Sequence, residues 1–161
     1  HTLLTSSDPK KNIERLNFLL SRFTGYVGVT NFLGDKFSED SASFKPILEE
    51  IRKRGLLLLE SKTVNTSVTS QIATEIMLPH AINNHFLDSK ASRVSIDSKL
   101  LELEKIAEKN GLAVGIGFSY PVTMERISKW ANTLPEKGID LVPISSIASI
   151  KLTEKNSIDA K

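Results

Sequence analysis

The sequence predicts an α/β protein built from parallel strand-helix units, and three observations predict it. Short apolar runs that open on or near a glycine recur along the chain. Amphipathic stretches of helical period lie between them. The joins before three of the runs read "RKRG", "EKNG" and "PEKG". In such a join basic residues sit at the negative end of a helix dipole and the glycine supplies a left-handed exit, so a helix ends and a strand begins. The runs start near residues 25, 55, 81, 111 and 138. That spacing of roughly thirty residues is the length of one strand-helix unit with tight connections. Continuous apolar strands with helices between them indicate a parallel sheet covered on both faces, either an open doubly wound sheet or a barrel.

Taken in order, the first helix carries Ile13, Leu16, Leu19 and Leu20 at helical spacing. The first strand is "GYVGVTN" from Gly25, and the second is "GLLLLES" from Gly55. The third, "AINNHFLD" from Ala81, is the least regular, because Asn83 and Asn84 interrupt it and only Phe86-Leu87 is firmly apolar. A long helix follows with Ile96, Leu100, Leu103 and Ile106 on one face, then a strand in "GLAVGIG" from Gly111. Pro121 opens the next helix, "PVTMERISKW", whose Met124, Ile127 and Trp130 share a core-facing spacing. The last strand is expected in "GIDLVPIS" from Gly138. One domain over 1–150 and a polar tail, "KLTEKNSIDAK", over 151–161 complete the reading.

Charge and composition exclude several classes. A net charge of +2 from 21 basic and 19 acidic residues, with no basic stripe between aromatics, speaks against nucleic-acid binding. The absence of cysteine excludes disulfides, thiolate metal sites and a cysteine nucleophile. The longest apolar run, "GLLLLE", is cut by Glu60, so no transmembrane segment is expected in this chain. The chain begins at His1 without a methionine, which fits a piece of a longer product. The glycines of "GYVGVTNFLG" and "AVGIG" lie within and after strands instead of opening helices, so neither is a dinucleotide loop.

Both candidate architectures place chemistry at the carboxyl ends of parallel strands. The residues expected on that rim are Thr30 and Asn31, Glu60 and Ser61, Asp88 and Ser89, Phe118, Ser119 and Tyr120, and Ser145 and Ser146. For Ser89, Ser119 and Ser145 the plainer reading is a helix cap. Glu60 and Asp88 are the candidate catalytic residues, since an acid closing an apolar strand is costly to bury unless it is paired or coordinates something. Asn31, Phe118, Ser119 and Tyr120 are the candidate substrate-binding residues; the aromatic pair suits the apolar face of a sugar, and the plainer reading puts Phe118 in the core. Of the histidines, His80 and His85 would face opposite sides of one strand, and His85 with Asp88 is the candidate metal pair.

The blocks "RLNFLLSRFTGYVGVTNFLGDKF", "ILEEIRKRGLLLLESKT", "HFLDSK" and "LELEKIAEKNGLAVGIGFSYPVTMERISKWANTLPEKGIDLVPISSI" resemble, in order and spacing, the divergent polysaccharide deacetylase family of bacterial envelopes. The resemblance covers residues 1 to about 150 and implies an incomplete or distorted (β/α) barrel that lacks its first strand-helix units. It also implies an extracytoplasmic location, a partner glycan of envelope polysaccharide or peptidoglycan type, and metal-dependent removal of N-acetyl groups with zinc or another divalent ion. Zinc held by imidazoles and a carboxylate lowers the pKa of its bound water to about 7 and polarises the acetyl carbonyl. Here the chain departs from the pattern. The positions at which the family commonly carries histidine are Phe32 and Phe118, and nothing in residues 1–24 matches the family's paired aspartates. Three readings follow: a deacetylase with substitute ligands, a glycan-binding pseudoenzyme, and an envelope interaction protein.

Overall fold

The computed structural model describes residues 2–31, 34–61 and 67–148, and these divide into two compact units, one of the described residues up to 82 with 144–148, the other of residues 83–143. The polar tail 151–161 lies outside the described residues.

The first unit begins with α1 (Pro9–Leu20). Asp8 caps it by accepting from the Lys10 N–H, and Pro9 takes the first turn, where its missing N–H costs nothing. Then follow β1 (Gly28–Thr30), α2 (Asp35–Glu39), α3 (Ser41–Lys53), β2 (Leu57–Glu60), α4 (Thr69–Glu75) and β3 (His80–Ile82). The strands form a parallel sheet in the order β1-β2-β3, with Val29 opposite Leu58 and Leu59 opposite Ala81. β2 is central, and its apolar run is accordingly buried along nearly its whole length. Its core joins Leu48 and Ile47 of α3 to Leu58, Ile72 and Leu78. Gly28 is demanded by that sheet: a Cβ there would lie 2.6 Å from the Leu57 carbonyl oxygen. Beside β1 is a cavity of about 570 Å³, lined mainly by apolar side chains that include Leu16, Val29 and Phe44, with Thr30 and Asn31 among its polar residues. Leu19, expected on the buried face of α1, is 43% exposed, because Leu16 and Leu20, one turn apart, define that face.

The second unit is a strand-helix-strand-helix unit, β4 (His85–Phe86), α5 (Arg93–Asn110), β5 (Gly115–Ile116) and α6 (Pro121–Ala131), closed by a 3-10 turn at Pro135–Lys137. β4 and β5 pair in parallel, His85 opposite Gly115 and Phe86 opposite Ile116. Ile96, Leu100 and Leu103 of α5 are buried with Leu87, and Val122, Ile127 and Trp130 of α6 pack on them; Ile106 is half-buried. Gly111 ends α5 with φ 77°, the left-handed exit that "EKNG" predicts.

Two expected strands turn out differently. The third is broken at Asn83-Asn84 into β3 and β4, which belong to different sheets. Asn84 completes the shorter ladder with its side chain, its Oδ1 accepting the Val114 N–H at 2.8 Å while its own N–H donates to the Val114 carbonyl. The last, "GIDLVPIS", is not a strand: residues 139–143 have no regular structure and 144–148 are helical. Leu141 and Val142 are exposed, and Pro143 brings no N–H to a ladder. The parallel strand-helix fold class therefore stands, and the described strands make a three-stranded and a two-stranded sheet, not a closed barrel.

Candidate functional site

The candidate residues form two groups, one in each unit. In the first, Glu60 closes β2 and is 1% exposed. It is a hydrogen-bonded acid, as its burial requires. Thr69 Oγ1 and Ser67 Oγ donate to its Oε2, the latter at 3.2 Å, and Asn31 Nδ2 donates to Oε1 at 3.3 Å. Asn31, at the end of β1, also accepts the Ser61 N–H at 2.8 Å. Its amide thus carries the pairing of β1 and β2 one step past their regular ladder. Hydroxyl and amide donors thus tie Glu60 to Asn31 at the end of β1 and to Ser67 and Thr69 at the start of α4.

In the second unit Asp88 follows β4 and is 4% exposed. Its Oδ2 accepts the Phe118 N–H at 2.7 Å and the Thr123 hydroxyl at 2.7 Å. Its Oδ1 is buried without a partner. Gly117 lies against the carboxyl, since a Cβ there would stand 3.7 Å from Oδ2 and 3.1 Å from the Thr123 methyl. The side chains of the following turn face outward. Phe118 is 47% and Tyr120 48% exposed, with ring centroids 5.9 Å apart at 44°. The plainer reading of Phe118 as a core residue is therefore not met: its backbone is tied to Asp88 and its ring is open.

The serines expected as caps are used otherwise. Tyr120 is the cap residue of α6 and no side chain caps it, while Ser119 is exposed. Ser92, not Ser89, caps α5, accepting the Ser95 N–H at 3.3 Å. Ser145 lies within helical residues 144–148.

The histidines have other partners. His80 is buried, with Nδ1 3.0 Å from the Leu78 carbonyl and Nε2 3.4 Å from Ser70 Oγ. His85 Nε2 is 3.1 Å from Glu102 Oε2 of α5, and Lys99 Nζ is 2.6 Å from the same oxygen. The Lys99 hydrogen bond, more than His85, holds the Glu102 carboxyl below the ordinary range. Trp130 is half-buried and donates its indole N–H to Glu104 at 2.7 Å.

The partners of both acids, Thr69 and Ser67 for Glu60 and Thr123 for Asp88, escape a reading by strand ends because they come from other segments. A buried acid announces that donors exist, and the pattern around it does not name them.

The profile of the divergent polysaccharide deacetylase family matches residues 1–148. The chain belongs to that family. It is similar to an uncharacterized protein of Haemophilus influenzae, 24% identical over 134 residues, which cover 83% of this chain and 48% of that protein. It is also similar to the uncharacterized protein YibQ of Escherichia coli, 23% identical over 121 residues, or 75% of this chain and 38% of YibQ. The crystal structure of an uncharacterized Agrobacterium tumefaciens protein superposes with a TM-score of 0.87 at 35% identity, covering 91% of this chain and 59% of that one. The chain thus spans half or less of the two curated relatives.

Family membership raises the question of a hydrolytic metal, and the described donors can be compared with what such a metal needs. Among the described residues no group of three His, Cys, Asp or Glu side chains is placed to hold a metal ion. Phe118 brings a phenyl ring where the family commonly has histidine, and Phe32, the other such position, lies outside the described residues. His85, the candidate partner of Asp88, faces Glu102. A single carboxyl oxygen with no imidazole beside it does not fit a zinc site, so no step is derived through a metal.

Proposed function

We propose that this chain is a glycan-binding domain of the divergent polysaccharide deacetylase family, working outside the cytoplasm on N-acetylated envelope polysaccharide of peptidoglycan type, with a degenerate metal site. The observation that carries this reading is the open aromatic pair Phe118 and Tyr120, standing at the carboxyl end of a parallel strand beside a buried acid. Two exposed rings tilted at 44° to one another give a sugar two apolar faces to lie against. Ser119 between them adds an exposed hydroxyl that can donate or accept. Membership of a polysaccharide deacetylase family supports a polysaccharide ligand, and the envelope setting and the N-acetylated substrate are part of the proposal. No described helix is long and apolar enough to cross a membrane.

The test is retention on immobilised N-acetylated glycan. Phe118→Ala removes half of the platform and leaves the Phe118 N–H to Asp88 in place. Retention should fall by about tenfold, the effect of losing roughly 1.5 kcal/mol of aromatic contact. Unchanged retention with an unchanged melting temperature would overturn the reading.

A further inference from the structure

Asp88 is a buried acid whose hydrogen bonding is left half complete by the fold. Both donors the protein offers, the Phe118 N–H and the Thr123 hydroxyl, go to Oδ2, and Oδ1 is buried without a partner. A carboxyl oxygen withdrawn from water and given nothing in return is costly to keep, and buried polar atoms in folded proteins are nearly all satisfied. The residue that fixes this carboxyl is also the one that presents the open ring: Phe118 donates its backbone to Asp88 while its side chain stands 47% exposed. Gly117, which is exposed, is the backbone that lies against the carboxyl, and any side chain there would crowd Thr123 and stand over Oδ2.

We propose that Asp88 Oδ1 is the specificity-determining acceptor of the glycan site: it receives the amide N–H of an acetamido group that enters past Gly117 while the sugar ring lies on Phe118 and Tyr120. The inference rests on the glycan-binding reading and adds to it a chemical choice. An acceptor fixed by two internal donors cannot rotate to become anything else, so it selects a ligand that brings a donor and rejects an isostere that lacks one. The apolar rings alone would not make that distinction.

The experiment compares ligands and variants on the intact protein by titration calorimetry. The probe is an N-acetylglucosamine oligomer, and its counterpart carries 2-O-acetyl in place of 2-acetamido, keeping the carbonyl and methyl and losing the N–H. The unaltered protein should bind the N-acetyl oligomer at least about tenfold more tightly, as expected for an unpaired buried acceptor. Asp88→Asn keeps an oxygen for Phe118 and Thr123 and turns the open position into a donor; it should lower affinity for the N-acetyl oligomer by a similar factor and erase the preference. Equal affinity of the unaltered protein for the two oligomers overturns the role of Asp88 while the glycan reading stands, provided Phe118→Ala still loses binding. No binding of either oligomer by the unaltered protein overturns both. Because the ligand comparison uses the unaltered protein, its outcome does not depend on the Asn variant folding.

Discussion

At the scale of single residues, the same device appears three times: a short polar side chain at a strand end accepts the backbone N–H of the neighbouring segment. Asn31 takes Ser61, Asn84 takes Val114 and Asp88 takes Phe118. The parallel ladders are only two or three residue pairs long, and these side chains extend them where the backbones diverge. Asn31 and Asp88 stand out in the sequence as strand-end residues, but their use as clamps does not, because a clamp is defined by a partner 30 residues away. Glycine positions are read more easily. Gly28 sits where β1 and β2 come together, and the Gly28→Ala variant should lose about 2 kcal/mol or more, since the clash is with backbone as well as with the Leu57 side chain. Urea denaturation checks this; a loss below about 0.5 kcal/mol, well under the usual cost of overpacking, would mean that β1 shifts freely.

At the scale of elements, helix periodicity carried most of the information and pairing carried the rest. Ile96, Leu100 and Leu103 are buried as their spacing demands. What holds α6 and the following turn to α5 is polar: Glu104, 9% exposed in its side chain, accepts from Trp130 Nε1 and from Lys137 Nζ at 2.7 Å. Lys137→Met should cost about 2 kcal/mol, between a surface pair and a buried one, because it strips the cation from a buried acid. A thermal melt that does not move would show Glu104 content with Trp130 alone. On the outer face Arg93, then Lys129, hold Glu125 down from 4.5 to about 2. A carboxyl with a depressed folded-state pKa contributes stability that is complete above about 4.5 and is lost as pH falls through about 2. The stability difference between the protein and Glu125→Gln should therefore shrink across that window in acid and stay flat from about pH 5 to about pH 7, measured by denaturant midpoints at low salt. A difference that persists below about pH 2 would contradict the pairing. The absent strand at "GIDLVPIS" shows the limit at this scale: an apolar run becomes a strand only where a neighbour offers a free edge, and Pro143 spoils the run as a donor.

At the scale of the whole molecule, two units each offer a buried acid at strand ends, and among the described residues neither acid gathers the imidazoles that a zinc site requires. After zinc loading and dialysis, plasma mass spectrometry should find well under one equivalent of zinc. Near-stoichiometric metal that disappears in Asp88→Ala would return the hydrolytic reading to first place. By itself the sequence determined the α/β class, the longer helices α1, α5 and α6, the glycine exits and the strand-end positions of Asn31, Glu60, Asp88 and Phe118. These depend on local chemistry, on periodicity, chain stiffness and capping, all legible within a few residues. Only the tertiary structure decided that the third strand splits between two sheets, that the last is no strand, and that Phe118 is open while Asp88 keeps one oxygen unpartnered. Each of those outcomes depends on which distant segment arrives to pair, cover or donate, and hydrogen-bond partners about thirty residues apart leave no trace in the run of residues that waits for them.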